Sequence, residues 1–203
     1  MIREIVIATR NKDKKKEIAE LLSGLPVKVL SLSDFPGLPE VKEKGSTFEE
    51  NAIAKAIACS GKTKRLCLAD DSGLEVPALG GRPGVLSARF AGPKVTYKDN
   101  NEKILRLLRN ASRDRRKARF VCYIALANSR GIIQGVKGTC SGRISESIRG
   151  NRGFGYDPVF IPWGYSKTFG ELGESIKNKI SHRSRALKKA KKIIAEYFGR
   201  YSP

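Results

Sequence analysis

The 203-residue sequence predicts a mixed α/β fold, one central sheet with helices packed on it. Three observations predict it. Short apolar runs and helix-spaced segments alternate through the first hundred residues. Two β-leaning stretches then follow one another across a tight turn, as in a hairpin. The composition, 40% hydrophobic and 30% charged, is that of a globular chain rather than a disordered one. No internal repeat, low-complexity tract or linker interrupts it, so residues 1–203 are expected to form one domain.

The elements follow in chain order. Ile5-Val6-Ile7-Ala8 reads as a buried strand leading into the loop Thr9-Arg10-Asn11. A helix is expected from about Asp13, with Ile18, Leu21 and Leu22 at helical spacing and Ser23-Gly24 as its stop. Val27 to Leu30 is a second strand, and Ser33 to Gly45, with Pro36, Gly37 and Pro39, is loop. Thr47-Phe48-Glu49-Glu50 has the form of a capping box, Thr47 capping and Glu50 reaching back. The helix it opens carries Ala52, Ile53, Ala56 and Ile57 on one face, while Asn51 and Lys55, four apart, share another. Leu66 to Ala69 is a strand running into Asp70-Asp71-Ser72-Gly73, and Gly80 to Gly84 is a turn-rich loop. Tyr97 to Asn110 reads as a helix. Phe120 to Ala127 is continuously apolar, suiting a central strand covered on both faces. Asn128 to Gly131 turns the chain into a long bent strand through Ile133, Val136 and Cys140. Ser181 caps a closing helix reaching Phe198, with Leu187, Ala190, Ile194 and Phe198 facing inward.

Composition excludes several classes. Nothing approaches the roughly 18 unbroken apolar residues of a membrane helix, and no signal peptide is visible, so a cytoplasmic address is expected. Cys59, Cys67, Cys122 and Cys140 form no C-x-x-C pair, and His182 is the single histidine, so neither a zinc site nor a disulfide scaffold is expected. The net charge of +20 fits a nucleic-acid binder, a site for polyanionic small molecules or a generally basic proteome. It clusters at Arg106, Arg109, Arg113, Arg115, Arg116, Lys117 and Arg119, and again at Arg183, Arg185, Lys188, Lys189, Lys191, Lys192 and Arg200. No helix-turn-helix, finger or stacking-aromatic signature accompanies them. They are read as solvated helix faces, and no specific nucleic acid or membrane partner is expected.

Four patterns could carry chemistry. Thr9-x-Asn11-x-x-Lys14 joins a strand to a helix, where free backbone N–H groups attract phosphate and a lysine adds full charge. It lacks the glycines of a Walker A loop, and alone it equally describes an ordinary turn. Asp70 and Asp71 at a strand end suit a hard divalent cation, or a loop start in which an Asp caps backbone N–H groups. Only one of the two is expected to face the site. In Gly150-x-x-Gly153-Phe154-Gly155-Tyr156-Asp157-Pro158, glycines leave room for a flat ring against Phe154, and Asp157 can accept from ring N–H groups. A tight turn with a core Phe has the same form. Lys177-x-x-x-x-His182-Arg183 opens the last helix and points to anion binding, although a lone histidine is commonly structural.

Together these stretches resemble the Ham1-like, inosine triphosphatase family of non-canonical purine nucleotide pyrophosphatases. The resemblance runs through Ile7 to Lys14, Thr47 to Lys55, Ala69 to Leu74, Gly80 to Phe90, Gly153 to Pro158 and Ile180 to Arg183, in the family's order. It implies an elongated mixed sheet flanked by helices, two lobes with a cleft, a homodimer, and Mg2+-dependent hydrolysis of ITP, dITP and XTP to monophosphate and pyrophosphate. It further implies that Thr9, Arg10, Asn11, Lys12, Asp13 and Lys14 form the phosphate loop, with Lys55 helping to hold the triphosphate. Glu43 and Asp71 would be metal ligands, Asp71 also the general base, and Ser72 a substrate contact. Phe154, Gly155, Tyr156, Asp157, Lys177, His182 and Arg183 would form the nucleoside pocket, with Arg183 or Lys177 donating to the 6-oxo group of the base.

The chain departs from the family pattern in three places. Lys42-Glu43-Lys44 replaces an acidic pair, leaving Glu43 alone. Asp13 stands where a glycine is common, as a helix cap, and Ile176 replaces an acidic residue before Lys177. A Maf-like pyrophosphatase of related fold and a non-catalytic basic nucleic-acid binder are the alternatives.

Overall fold

The computed structural model describes residues 3–38 and 41–200, with the side chain of Arg200 excepted. Pro39, expected in a loop, and Arg200 of the second basic cluster thus lie outside the described residues or side chains. Among the described residues, six strands form one mixed sheet in the order β2-β1-β3-β4-β5-β6. The strands are β1 (Glu4–Ile7), β2 (Lys28–Ser31), β3 (Leu66–Glu75), β4 (Lys117–Asn128), β5 (Gly131–Ile144) and β6 (Phe160–Pro162). The helices are α1 (Lys12–Leu22), α2 (Phe48–Thr63), α3 (Tyr97–Leu107), α4 (Phe169–Leu172), α5 (Glu174–Ile180) and α6 (His182–Arg200). β1 pairs in parallel with both β2 and β3, whereas β5 and β6 are antiparallel. This is the mixed sheet flanked by helices that the alternation of elements predicts.

The chain divides into two compact units. The first holds residues 1–71, 122–138 and 183–203, and the second holds 72–121 and 139–182. In the first unit the two-residue period of the strands sorts the core onto two faces. Ile5, Ile7, Leu66, Leu68, Cys122, Ile124 and Leu126 pack with Ile18 and Leu22 of α1 and with Ala186, Leu187, Ala190 and Ile194 of α6. Their alternates Val6, Ala8, Cys67, Ala69, Ala125 and Ala127 pack with Ala52, Ala56 and Cys59 of α2. The second unit has its own core around Leu74, Ile104, Phe120, Tyr156, Phe160 and Phe169.

Several expectations change. Asn11, not Asp13, caps α1, its side chain accepting from the Lys14 N–H at 3.0 Å; Asp13 lies in the first turn. Thr47 caps α2 as expected, accepting from the Glu50 N–H at 3.1 Å, while Glu50 makes a shorter bond with the Ser46 N–H, 2.8 Å. Ile57 is 46% exposed, so the buried face of α2 is rotated toward Asn51, Ala52, Ala56 and Cys59. α3 stops at Leu107 rather than Asn110. Cys59 and Cys67, eight apart in sequence, meet with sulfurs at 2.8 Å as buried free thiols. The basic clusters are not uniformly solvated either: Arg116 is buried and donates to the carbonyls of Leu108, Ala111 and Ser145. No described helix is long and apolar enough to cross a membrane.

Candidate active site

Asp70 and Asp71 lie inside β3 rather than at its end, because the strand runs on to Glu75. Buried partners for both carboxylates make this possible. Asp70 falls on the face of Leu66 and Leu68, and Asp71 on the face of Cys67 and Ala69. Each carboxylate therefore meets a different helix.

On the α1/α6 face, Asp70 Oδ2 lies 3.2 Å from Lys14 Nζ and 3.3 Å from Arg183 Nη2. Arg183 also pairs with Glu17 of α1 through Nη1. Burial alone would push the Asp70 carboxyl up, but Lys14, Arg183 and Lys55 outweigh it and hold it far below the usual carboxylate range. Arg183 is only 1% exposed. Its guanidinium lies with the carboxylates of the first unit. This follows from its position one residue into α6, where α6 packs against α1.

On the α2 face, Lys55 Nζ stands between two carboxylates, 2.6 Å from Glu43 Oε1 and 3.2 Å from Asp71 Oδ1. The second oxygen of Asp71 accepts from Asn51 Nδ2 at 3.1 Å. Asn51 and Lys55 reach the same carboxylate because a spacing of four puts them on one helix face. Burial is the largest influence on Asp71 and raises its pKa; Lys55 and Lys14 oppose this, and Glu43 adds to it. Lys55 stays protonated: burial favours loss of its proton, but Asp71, Asp70 and Glu43 together raise its pKa.

A cation thus already sits where two carboxylate oxygens converge. Hard oxygen donors of this kind fit magnesium, which keeps waters and takes substrate phosphates as its other ligands. Among the described residues no group of three or more His, Cys, Asp or Glu is placed to hold a metal. Glu43 and Asp71 are the carboxylates that would hold such an ion.

The strand-to-helix turn is tightly tied. Thr9 Oγ1 accepts from the Asn11 N–H at 3.2 Å, and Arg10 donates to the Leu38 carbonyl at 2.6 Å. Lys12 and Asp13 are exposed.

In the second unit, Asp157 and Lys177 form a buried ion pair at 2.6 Å, 1% and 3% exposed. Asp157 also accepts from the Phe154 N–H at 2.8 Å, and the Lys177 ammonium lies 4.4 Å from the Phe154 ring centre. Donor, acceptor and ring are therefore together, as expected. The room left by Gly153 is used differently: a Cβ there would fall 2.2 Å from Asp157 Oδ2, and its φ is +74°. Glycine lets the carboxylate, not a base, approach the backbone. The Gly155 carbonyl accepts from Asn101 Nδ2 at 3.0 Å. Tyr156 is in the core, its hydroxyl donating to the Ser87 carbonyl at 2.9 Å. His182 is buried and stacks on Phe120, with ring centres 4.6 Å apart and planes 9° from parallel. Ser72 is half-buried in β3.

Sequence reasoning gave no role to Asn51 or Glu17. The signal for Asn51 was present in its spacing from Lys55. Glu17 offered only its place one turn after Lys14.

Fold and site together define an α/β protein with an internally compensated carboxylate–lysine cluster, a composition suited to binding phosphates with a divalent cation. A profile of the Ham1 family matches residues 5–193, and the chain belongs to that family. It is 51% identical over 191 residues to a dITP/XTP pyrophosphatase of Desulforamulus reducens, covering 94% of this chain and 95% of that one. A Geobacillus kaustophilus protein of the same name is 49% identical over 198 residues, covering 98% and 97%. Among solved structures, a HAM1 protein from Coxiella burnetii superposes with a TM-score of 0.87 at 40% identity, covering 96% of this chain and all of that one. The Staphylococcus aureus Ham1 protein does so with 0.86 at 38%, with the same coverage.

Proposed function

We propose that this protein hydrolyses non-canonical purine nucleoside triphosphates, ITP, dITP and XTP, to the monophosphate and pyrophosphate, acting in the cytoplasm as a homodimer of single-domain chains. The observation that carries the reading is Lys55 held between Glu43 and Asp71, with Lys14 on the neighbouring Asp70. The names of the 47–51% identical relatives support the same reaction.

Glu43 and Asp71 would hold Mg2+, which when bound supplies charge neutralisation on the phosphates. The remaining roles belong to the chain. Asp71 orients the attacking water and takes its proton. Thr9, Arg10, Asn11 and Lys12 at the α1 entry offer backbone and side-chain donors to the triphosphate. Lys14 and Lys55 add fixed positive charge, each charge pair worth roughly 4 kcal/mol at ~4 Å and an effective dielectric of ~20 before desolvation.

Base choice follows from hydrogen-bond direction. Lys177 can only donate and a 6-oxo group can only accept, whereas adenine presents an amine. Asp157 beside it accepts from ring N–H groups. Arg183, which pairs with Glu17 and Asp70, and Lys177, which pairs with Asp157, are the two candidate donors. Phe154, Gly155 and Tyr156 shape this pocket through their backbone turn, and Ser72 and His182 complete the proposed contacts.

The test is pyrophosphate release from ITP, XTP, dITP, GTP, ATP and TTP, with and without Mg2+. The reading requires magnesium-dependent turnover that prefers the first three. Preference for a pyrimidine triphosphate would favour a Maf-like activity. No release, with salt-sensitive nucleic-acid binding, would favour a non-catalytic basic protein.

A further inference from the structure

The loop before α2 and the middle of β3 each contribute one carboxylate to the Lys55 ammonium, and one side chain joins them. Asn51, 2% exposed, accepts from the Gly45 N–H through Oδ1 at 2.8 Å and donates through Nδ2 to Asp71 Oδ2 at 3.1 Å. Its amide cannot be reversed. A backbone N–H only donates and an ionised carboxylate only accepts, so each end of the amide meets the one partner it can satisfy. Gly45 lies two residues after Glu43. Its contact with Asn51 is so close that a Cβ on Gly45 would stand 2.7 Å from Asn51 Oδ1 and 2.8 Å from Glu50 Cβ. Glu50 strengthens the same attachment through the Ser46 N–H at 2.8 Å.

We propose that Asn51 is a positioning residue for the divalent cation, pinning the Glu43 loop and the Asp71 carboxylate to one point on α2. By occupying Asp71 Oδ2 it leaves Oδ1, the oxygen next to Lys55, turned toward Glu43's partner ammonium. The cation then meets two carboxylates whose separation is set before it arrives. Groups that orient metal ligands in this way typically govern affinity by 10- to 100-fold (about that range) when removed. This inference rests on the pyrophosphatase reading.

The test uses two substitutions that disturb the link from opposite ends, Asn51→Ala and Gly45→Ala, in the full-length protein. Mn2+ is titrated into nucleotide-free protein and followed by electron paramagnetic resonance. Hydrogen exchange at the Gly45 amide is measured on metal-free samples, and thermal melts check folding. We expect Mn2+ affinity to fall roughly 10- to 100-fold in both variants and the Gly45 amide to exchange faster in Asn51→Ala. Lowered melting temperature with wild-type Mn2+ affinity would mean that Asn51 is merely structural and would overturn the proposal. Should Asn51→Ala fail to fold, Gly45→Ala alone decides, because it keeps the Asn51 side chain while crowding the loop against Asn51 and Glu50. A wild-type protein that releases no pyrophosphate would instead count against the reading beneath it.

Discussion

Asp70 and Asp71 are neighbours in β3, yet each is held by the lysine of a different helix: Lys14 of α1 takes Asp70 and Lys55 of α2 takes Asp71, both at 3.2 Å. The pleat of the strand divides them between two faces. Their surroundings differ accordingly. Asp70 is sealed between Lys14 and Arg183, while Asp71 shares its lysine with the half-exposed Glu43. The same residue type thereby acquires two environments, one sealed and one open to a half-exposed neighbour.

Replacing Asp70 with Asn should therefore damage stability first. It leaves Lys14 and the buried Arg183 short of a counter-charge, a change worth about 3–5 kcal/mol. For a chain of this size that is a fall in melting temperature on the order of 10 °C. Scanning calorimetry of the purified variant checks it, and an unchanged melt would remove Asp70 from the structural role.

Metal removal should separate activity from folding. Lys55 already bridges Glu43 and Asp71 in the metal-free protein, so EDTA is expected to abolish pyrophosphate release while leaving the melting temperature nearly unchanged. Mg2+ should restore turnover. Unfolding on chelation would indicate that the two carboxylates depend on the ion for their structure, contrary to the pairing described.

Gly153→Ala should strike the proposed base pocket. The left-handed backbone alone costs about 1–3 kcal/mol with a side chain present, and the new Cβ would displace the Asp157 carboxylate. We expect KM for ITP to rise by at least tenfold, with kcat changed less, in steady-state assays. A variant with wild-type KM would mean that Asp157 does not contact the base.

Much of this was legible beforehand for one physical reason: long elements repeat their pattern. The unbroken apolar runs Ile5 to Ala8 and Leu66 to Ala69 announce strands, and the spacing of Leu187, Ala190 and Ile194 announces α6. The three-residue β6 and four-residue α4 are too short to show a period. Asp70 to Gly73 read as a loop because nothing local reveals the partners that let carboxylates sit inside a strand. Arg183 and His182 have different surroundings because adjacent helix residues point in directions about 100° apart, and the sequence names no partner for either. The closeness of Asn51 to Gly45 depends on how a loop folds back onto α2, which no spacing encodes.

Acid should weaken the segment that leads to Lys177. The bond from the Thr168 N–H is the main cause of the lowered Glu171 pKa, and Arg149 adds to it. A depressed carboxylate contributes stability above its unfolded value, about 4.3, and loses it as pH falls through the folded value. Glu171→Gln should therefore melt slightly below wild type at pH 7, and the gap should close at pH values under the ordinary carboxylate range. Parallel melts across pH 2.5 to 7 would reveal a constant gap if charge plays no part (roughly that span brackets the transition).

The most direct test of the whole account is single-turnover pyrophosphate release from ITP by wild type and Asp71→Asn, with the melting temperature of both recorded. The account predicts a loss of about 10²–10⁴-fold, the range of a removed general base, in a protein that still folds and melts cooperatively. Asp71→Asn protein that releases pyrophosphate at the wild-type rate would contradict it.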